Sequence, residues 1–305
     1  MLQILLKSAS FIFLIALGYL LKRVGFFGKL DYKIPAKIVS NITLPCALLT
    51  SFASYRPDFS LLVVAIMGLV VNCLLLLISN FLSSKKPRHT RAVWLNCVPG
   101  YNIGTFVMPF VQSFLSPASL VGTCLFDLGN AMMCNGTTYA ISKNILGGSK
   151  GLNLKRIGNT LLRSVPFLAY ITMLIVTVFK LPIPQQLVNF VSPMATANAF
   201  LSMLMIGMML DLQLDKTYIK DVIGILIMRF SMSVAVALAT YFLLPLPLEI
   251  RQAVAITVFA PVSMVSTVFT PDAGGDPAIA AAANSLSILV CIPSILVLLA
   301  IFGTV

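Results

Sequence analysis

Apolar residues run along this chain in ten long segments separated by short polar connections, a pattern typical of membrane-spanning helices. The segments cover residues 3–21, 34–53, 60–82, 92–115, 118–143, 160–180, 186–210, 218–243, 248–270 and 277–302. A helix of about 20 residues, rising about 1.5 Å per residue, crosses a hydrocarbon layer about 30 Å thick. The pattern therefore predicts an all-α integral membrane protein with ten transmembrane helices.

The longest polar connection, LGGSKGLNLKRIGN at residues 146–159, divides the chain into two halves. We interpret residues 1–145 and 160–305 as two five-helix repeats joined by this linker within a single membrane domain. An odd number of spans on either side of the linker gives the two halves opposite orientations in the membrane. Such inverted repeats are common in secondary transporters.

Short matches between the halves support the repeat. PGYNIGTFVMP (99–109) and PVSMVSTVFTP (261–271) both begin and end with proline, and Thr105 matches Thr267. An asparagine follows each of these stretches, Asn130 in the first half and Asn284 in the second. The matched prolines lie inside spans 4 and 9, so we expect these two helices to be broken.

Composition and charge agree with a membrane protein. Of the 305 residues, 59% are hydrophobic and 10% are charged, and the mean hydropathy is +0.99. A soluble domain carries about 25% charged residues. Basic residues collect after spans 1, 3, 5 and 7, whereas the connections on the opposite side hold only Arg56, Lys180 and Arg251. This distribution is typical of a membrane protein, so the net charge of +12 does not require a nucleic-acid partner. By the positive-inside rule, both termini lie outside and the linker is cytoplasmic.

The residues inside spans 4 and 9 predict how the two helices break. Pro99 and Pro261 each remove a backbone donor and clash with the preceding turn. Gly100 and Gly104 allow an unwound chain to turn and to approach a neighbour closely. Non-helical backbone at membrane depth is tolerated where it is buried in protein or lines a water-filled cavity. The alternative is a proline kink that only improves helix packing.

Each break also creates the start of a half-helix, whose unpaired N–H groups carry a partial positive charge. Asn102 and Ser263 are placed to cap these starts or to hydrogen-bond a ligand. The two breaks predict a binding site for an anion, most simply a carboxylate. Asn130 and Asn284, which follow the two broken spans, are further candidates for this site.

Two charged residues inside spans are candidates for function. Asp127, in span 5, is either a proton or ion carrier or a hydrogen-bonded carboxyl packed against a neighbouring helix. An ionised side chain is costly at the bilayer centre, so it should face protein or water. Arg229, in span 8, either attracts the substrate or extends its charge to the membrane surface. Spans 2 and 7 also contain interruptions, at Asn41–Pro45 and Ser192–Ala199.

No hydrolase, metal-binding or phosphate-loop motif occurs. The six cysteines show no C-x-x-C pair, and the single histidine, His89, lies in a basic connection. We therefore expect no enzyme activity, no cofactor and no metal site.

The stretches NITLPCALL, NCVPGYNIGTFVMPFV, FDLGNAMMCNGTTYA, APVSMVSTVF and AAAANSLSILVCIPSILVLL resemble, in this order, the auxin efflux carrier family. That family includes bacterial malate- and malonate-permease-like members. The resemblance implies ten helices in two inverted repeats, with crossovers at Pro99 and Pro261 and with Asn102 and Ser263 lining an organic-anion site. The long cytoplasmic loop of plant members is missing, which favours a bacterial-type carrier of the cytoplasmic membrane. In the second repeat, Met264 matches Asn102.

The sequence thus predicts a secondary-active transporter of a small mono- or dicarboxylate that works by alternating access, with proton or sodium coupling. Spans 4, 5, 9 and 10 would move against a scaffold of spans 1, 2, 6 and 7, which is also a candidate homodimer surface. Two alternatives stay open, a bile-acid-type sodium symporter and a membrane sensor that binds a ligand without moving it.

Overall fold

A computed structural model of the chain describes residues 2–55, 61–147, 154–210 and 218–302, and every extended regular element in these ranges is helical. The helices are α1 Leu2–Arg23, α2 Lys33–Ile38, α3 Leu44–Ser54, α4 Leu62–Ser83, α5 Arg88–Cys97, α6 Met108–Phe114, α7 Pro117–Met132, α8 Thr138–Ile145, α9 Leu154–Leu162, α10 Val165–Val178, α11 Gln185–Met209, α12 Ile219–Leu243, α13 Leu248–Thr257, α14 Met264–Asp272 and α15 Pro277–Phe302. Short π-helical segments occupy Val39–Thr43, Ile103–Val107 and Met133–Thr137. The predicted all-α class is confirmed.

Five helices in the described ranges are long and apolar enough to cross a membrane. They are Lys33–Ser54, Leu62–Ser83, Gln185–Met209, Ile219–Leu243 and Pro277–Phe302. This finding fits a membrane-embedded protein. Each of the ten apolar segments of the sequence falls on helical structure, but spans 4 and 9 are each divided into two pieces.

The predicted boundaries at residues 1, 60 and 305 lie outside the described residues, as does the 148–153 part of the predicted linker. The rest of that linker is not a simple connection, because α9 begins at Leu154. A break at Arg163 and Ser164 then separates α9 from α10. Span 6 therefore begins several residues later than its predicted start at residue 160.

Glycines bring two pairs of helices into close contact. A Cβ atom at Gly68 of α4 would lie 2.1 Å from a carbonyl oxygen of α7, and one at Gly129 of α7 would lie 1.9 Å from a carbonyl oxygen of α4. Gly18 and Gly207 bring α1 and α11 together in the same way, with corresponding distances of 2.2 and 2.0 Å. Only residues without a side chain permit this approach, which is a common device for packing helices in membranes.

The interruptions predicted in spans 2 and 7 are not breaks. Span 2 contains a π-helical turn, Val39–Thr43, and continues directly into α3. In span 7, α11 runs through Pro193 without interruption. Pro193 lies inside α11, eight residues after Gln185, and the helix continues past its missing N–H. Membrane helices tolerate an internal proline where neighbouring groups satisfy the freed backbone.

Polar residues of spans 2 and 7 connect three helical segments. The Thr43 hydroxyl donates to Asn198 Oδ1 at 2.9 Å, and Asn198 Nδ2 donates to Gln112 Oε1 of α6 at 2.9 Å. Asn198 is fully buried. This geometry gives Asn198 a structural role.

Span 5, predicted as one continuous helix, contains a kink. After α7 ends, Asn135 (φ −81°, ψ 33°) and Gly136 (φ 123°) depart from helical conformation before α8 begins. Glycine is the residue that adopts this positive φ most readily. The kink redirects the end of span 5 towards α9, where Ile157 lies next to Gly136.

Candidate functional site

The helix breaks predicted at Pro99 and Pro261 are confirmed. Helical structure stops at Cys97 and resumes at Ile103 in the first half, and it stops at Thr257 and resumes at Met264 in the second. The two unwound stretches lie side by side. Tyr101 and Val262 form an antiparallel bridge, and the Asn102 N–H donates to the carbonyl of Pro261 at 3.0 Å. The breaks thus satisfy part of each other's backbone hydrogen bonding.

Side chains from neighbouring helices satisfy much of the remainder. Asn130 of α7 pairs with the backbone of Tyr101, and Asn72 of α4 accepts from the Gly100 N–H at 2.7 Å. In the second break, the Val262 N–H donates to the hydroxyl of Ser287 of α15 at 3.0 Å. Ser287, not the predicted Asn284, therefore holds the backbone of the second break as Asn130 holds the first. Sequence matching did not identify Asn72 or Ser287.

Arg229 of α12 binds the backbone of both breaks. Its side chain is buried, with 3% exposed, and its guanidinium lies 4.8 Å from the centre of the Tyr101 ring. It donates to five backbone carbonyls, those of Cys97, Val98, Gly100, Ala260 and Pro261. These carbonyls follow the C-terminal ends of α5 and α13, where a helix carries partial negative charge. The expectation that Arg229 extends to the membrane surface is wrong, because its charge is used to stabilise the crossing.

The N-terminal ends of both half-helices open into one cavity of about 290 Å³. Residues of the unwound stretches and α7 line it, together with residues of α2, α3 and α10. Five residues predicted for function line it, namely Asn102, Gly104, Asp127, Asn130 and Ser263. We call this space the crossing cavity.

Asn102 and Ser263 occupy equivalent positions, each immediately before the helix that follows its break. The sequence match of Asn102 with Met264 is therefore one residue out of register with the structure, in which Tyr101 pairs with Val262. Neither side chain makes a capping hydrogen bond, so their predicted capping role is wrong. Asn102 Oδ1 instead accepts from the Thr105 hydroxyl at 2.6 Å. The Asn102 side chain is 7% exposed, and its Nδ2 has no partner among the described residues. A buried donor of this kind favours a ligand that supplies an acceptor.

Asp127 lies in the wall of the crossing cavity and has two donors. The hydroxyl of Tyr170, on α10, donates to Oδ2 at 2.6 Å, and Asn130 Nδ2 donates to Oδ1 at 2.8 Å. No Lys, Arg or His is among the described residues that line the cavity. Both sequence interpretations of Asp127 therefore keep support, since its carboxyl is hydrogen-bonded and also faces the cavity. Tyr170 was not identified from the sequence, where it stands within an apolar run.

The remaining predicted residues lie elsewhere. Pro99 and Gly100 line a separate cavity of about 10 Å³, room for about one water molecule. Pro261 is buried and contributes its carbonyl to Asn102 and Arg229. Asn284 lines a third cavity, of about 720 Å³. Within the ranges that the structure describes, no group of three or more His, Cys, Asp or Glu side chains could hold a metal ion.

Comparisons with known proteins add no assignment to this geometry. No protein-family model matches the sequence, and a search of curated proteins found no match. What the crossing cavity can bind therefore follows from its own residues and their arrangement.

Proposed function

We propose that this protein is a secondary-active transporter of small organic anions, most simply carboxylates, and that the crossing cavity is its substrate site. The observation that carries the proposal is the opening of two half-helix N-termini into one cavity. A helix N-terminus is equivalent to about half a positive charge, so two of them match about one negative charge. Backbone N–H groups at such ends bind carboxylates directly.

The size and polarity of the crossing cavity support a small ligand. A volume of about 290 Å³ is at the lower end of the range for small-molecule sites. The unpaired amide nitrogen of Asn102 supplies a donor beside one helix start, and the hydroxyl of Ser263 lies beside the other. The wall also contains apolar side chains such as Leu44 and Phe167, which suit the carbon skeleton of an organic anion.

The proposal includes ten membrane crossings in two inverted repeats, as in the auxin efflux carrier family that the sequence resembles. The equivalent positions of Asn102 and Ser263 support this symmetry, and so does the antiparallel bridge between the two breaks. In this arrangement the protein lies in a bacterial cytoplasmic membrane with both termini outside. Access alternates as the part carrying the breaks moves against the part built around α1 and α11.

Asp127 supports proton coupling at the same site. An ionised Asp127 would repel an anion in the crossing cavity, whereas a protonated Asp127 would not. Binding of a proton then favours binding of the substrate, which is the requirement for cotransport. A sodium symporter is the second candidate, because a carboxylate beside a cavity without a basic side chain also suits a cation. Transport that stops when sodium is removed would favour the symporter.

Binding and movement of the substrate require separate tests. The purified protein is first screened by thermal unfolding against a panel of carboxylates, because a ligand at a hundred times its Kd stabilises a protein by about 2.7 kcal/mol. The most stabilising carboxylate is then used, radiolabelled, for counterflow in proteoliposomes. We expect labelled substrate to accumulate only in vesicles that contain the protein and are preloaded with unlabelled substrate.

A matched pair of variants assigns the result to the crossing cavity. Asn102→Ala removes the unpaired amide nitrogen and is expected to reduce counterflow strongly, whereas Asn189→Ala changes an exposed asparagine of α11 and should leave it unchanged. Binding without any counterflow would instead indicate a sensor. Equal counterflow in the two variants would remove the crossing cavity from the proposal.

A further inference from the structure

The third cavity, of about 720 Å³, lies between the C-terminal end of α1 and the helices α14 and α15. One side of it is lined by three cationic side chains, those of Lys22, Arg23 and Lys29. No acidic side chain is among the described residues that line it. The crossing cavity has the opposite character, since its charged residue is Asp127. We call this third space the basic cavity.

The three cations of the basic cavity are close in sequence and repel one another, and an anion bound between them would offset this repulsion. The Lys22 ammonium donates to the carbonyl of Leu210, the residue that follows α11, so this charge is held in place in the cavity lining. Arg23 and Lys29 are exposed, and their long side chains can reach a ligand there. A group that carries two or more negative charges would be attracted by all three.

A buried polar side chain of α15 also lines the basic cavity and favours a ligand there. Asn284 of α15 is 7% exposed, and its side-chain oxygen has no partner among the described residues. Thr267 and Ser285 also line this cavity, and the Thr267 hydroxyl donates to the Met264 carbonyl at 2.7 Å. Because the amide of asparagine can present either a donor or an acceptor, Asn284 can bind an anion directly or through a protonated oxygen of the ligand.

We propose that the basic cavity binds a multivalent anion of the phosphate class, which joins the end of α1 to α14 and α15. Arginine and lysine form strong, charge-assisted hydrogen bonds with phosphate oxygens, and amides and hydroxyls complete such sites. The ligand is either a free phosphorylated solute or the headgroup of an anionic phospholipid, since Met209 and Leu210 place the cavity at the C-terminal end of α11, a helix of membrane length. Binding at this place does not depend on transport through the crossing cavity.

Binding of inorganic pyrophosphate to the purified protein tests the proposal. Arg23→Gln/Lys29→Gln is compared with Lys33→Gln/Lys37→Gln, which removes two exposed charges of α2 that do not line the basic cavity. We expect the Kd for pyrophosphate to rise at least about tenfold in the first variant and to change by less than about twofold in the second. Asn284→Ala should also weaken binding, which general electrostatic attraction would not explain. Equal weakening in the two double variants, with none in Asn284→Ala, would overturn the proposal.

The source of the phosphate group is tested by native mass spectrometry after extraction from vesicles that contain phosphatidic acid and phosphatidylcholine. Retention of phosphatidic acid by the unmodified protein, loss of retention in Arg23→Gln/Lys29→Gln and displacement by pyrophosphate would identify a lipid headgroup. Pyrophosphate binding without lipid retention would identify a free solute. If the unmodified protein binds neither pyrophosphate nor phosphatidic acid, the proposal is wrong.

Discussion

The side chain of Asn130 pairs with the backbone of Tyr101 through two hydrogen bonds, one in each direction. Asn130 Nδ2 donates to the Tyr101 carbonyl at 2.9 Å, and the Tyr101 N–H donates to Asn130 Oδ1 at 3.0 Å. The amide side chain thus replaces the backbone partners that Tyr101 would have in a continuous helix. Because Asn130 also donates to Asp127, the same residue links the unwound chain to the carboxyl in the crossing cavity.

We expect Asn130→Ala to lower the free energy of unfolding by at least about 2 kcal/mol, because it leaves a buried donor and a buried acceptor without partners. Thermal or denaturant unfolding in detergent measures the change. Asn189→Ala, at an exposed position where the only described partner is Gln185, should stay within about 0.5 kcal/mol of the unmodified protein. Similar stability of the two variants would contradict the role of Asn130 in holding the break.

Arg229→Gln should destabilise the protein by about 3 kcal/mol or more, because five carbonyls at the crossing lose a charged donor. Arg229→Lys keeps the charge but lacks the planar fork that reaches both breaks, so we expect an intermediate loss. Arg251→Lys is the control, since Arg251 donates to a single described carbonyl, that of Tyr241. If Arg229→Lys is as stable as Arg251→Lys, the guanidinium does not hold the two breaks together.

The contact between α4 and α7 should not tolerate a methyl group. In Gly68→Ala, the new Cβ would lie 2.1 Å from a backbone oxygen of α7, so one helix must move and we expect a loss of about 2 kcal/mol or more. Gly158→Ala places its Cβ where no atom lies within 4 Å and where the backbone is helical. It should be neutral or stabilise by up to about 1 kcal/mol. Unfolding temperatures that shift in the same direction for both variants would contradict this packing.

Asp127→Asn should abolish transport driven by a pH gradient while the protein still binds the carboxylate, because asparagine cannot carry a proton. Uptake into proteoliposomes with and without an imposed gradient measures the effect. Tyr170→Phe keeps the aromatic ring but removes the donor to Asp127 Oδ2, so it should alter the pH dependence of uptake without removing it. Asp31→Asn, in the connection after α1, is the matched control. Unchanged gradient-driven uptake in Asp127→Asn would exclude proton coupling through this residue.

The sequence predicted the positions of the helices and of the two helix breaks, because the properties of nearby residues determine both. Apolar length located the helices, and proline located both breaks, since Pro99 and Pro261 cannot donate to a helical hydrogen bond. Prediction from the sequence failed where a residue type is compatible with two local structures. Pro193 was expected to interrupt span 7, yet a membrane helix tolerates one missing backbone bond in its interior. The kink at Gly136 was missed, because glycine also occurs at close helix contacts such as Gly68.

Which residues come together at the site depends on tertiary structure, so the sequence predicted only some of them. Asn102, Asn130, Ser263 and Asp127 were identified because polar residues are rare in apolar segments, and they line one cavity. Asn284 satisfied the same criterion but lies in the basic cavity. Arg229 was identified as unusual, but its role depends on carbonyls of two other spans, which no local pattern reveals.

Binding of a carboxylate between the two half-helix starts would be seen in an experimental structure with the most stabilising carboxylate of the panel bound. We predict that its carboxylate group lies in the crossing cavity, within hydrogen-bonding distance of backbone N–H groups that follow both Asn102 and Ser263. A carboxylate bound elsewhere, or continuous helices through residues 98–102 and 258–263, would exclude a carboxylate site between the two half-helix starts.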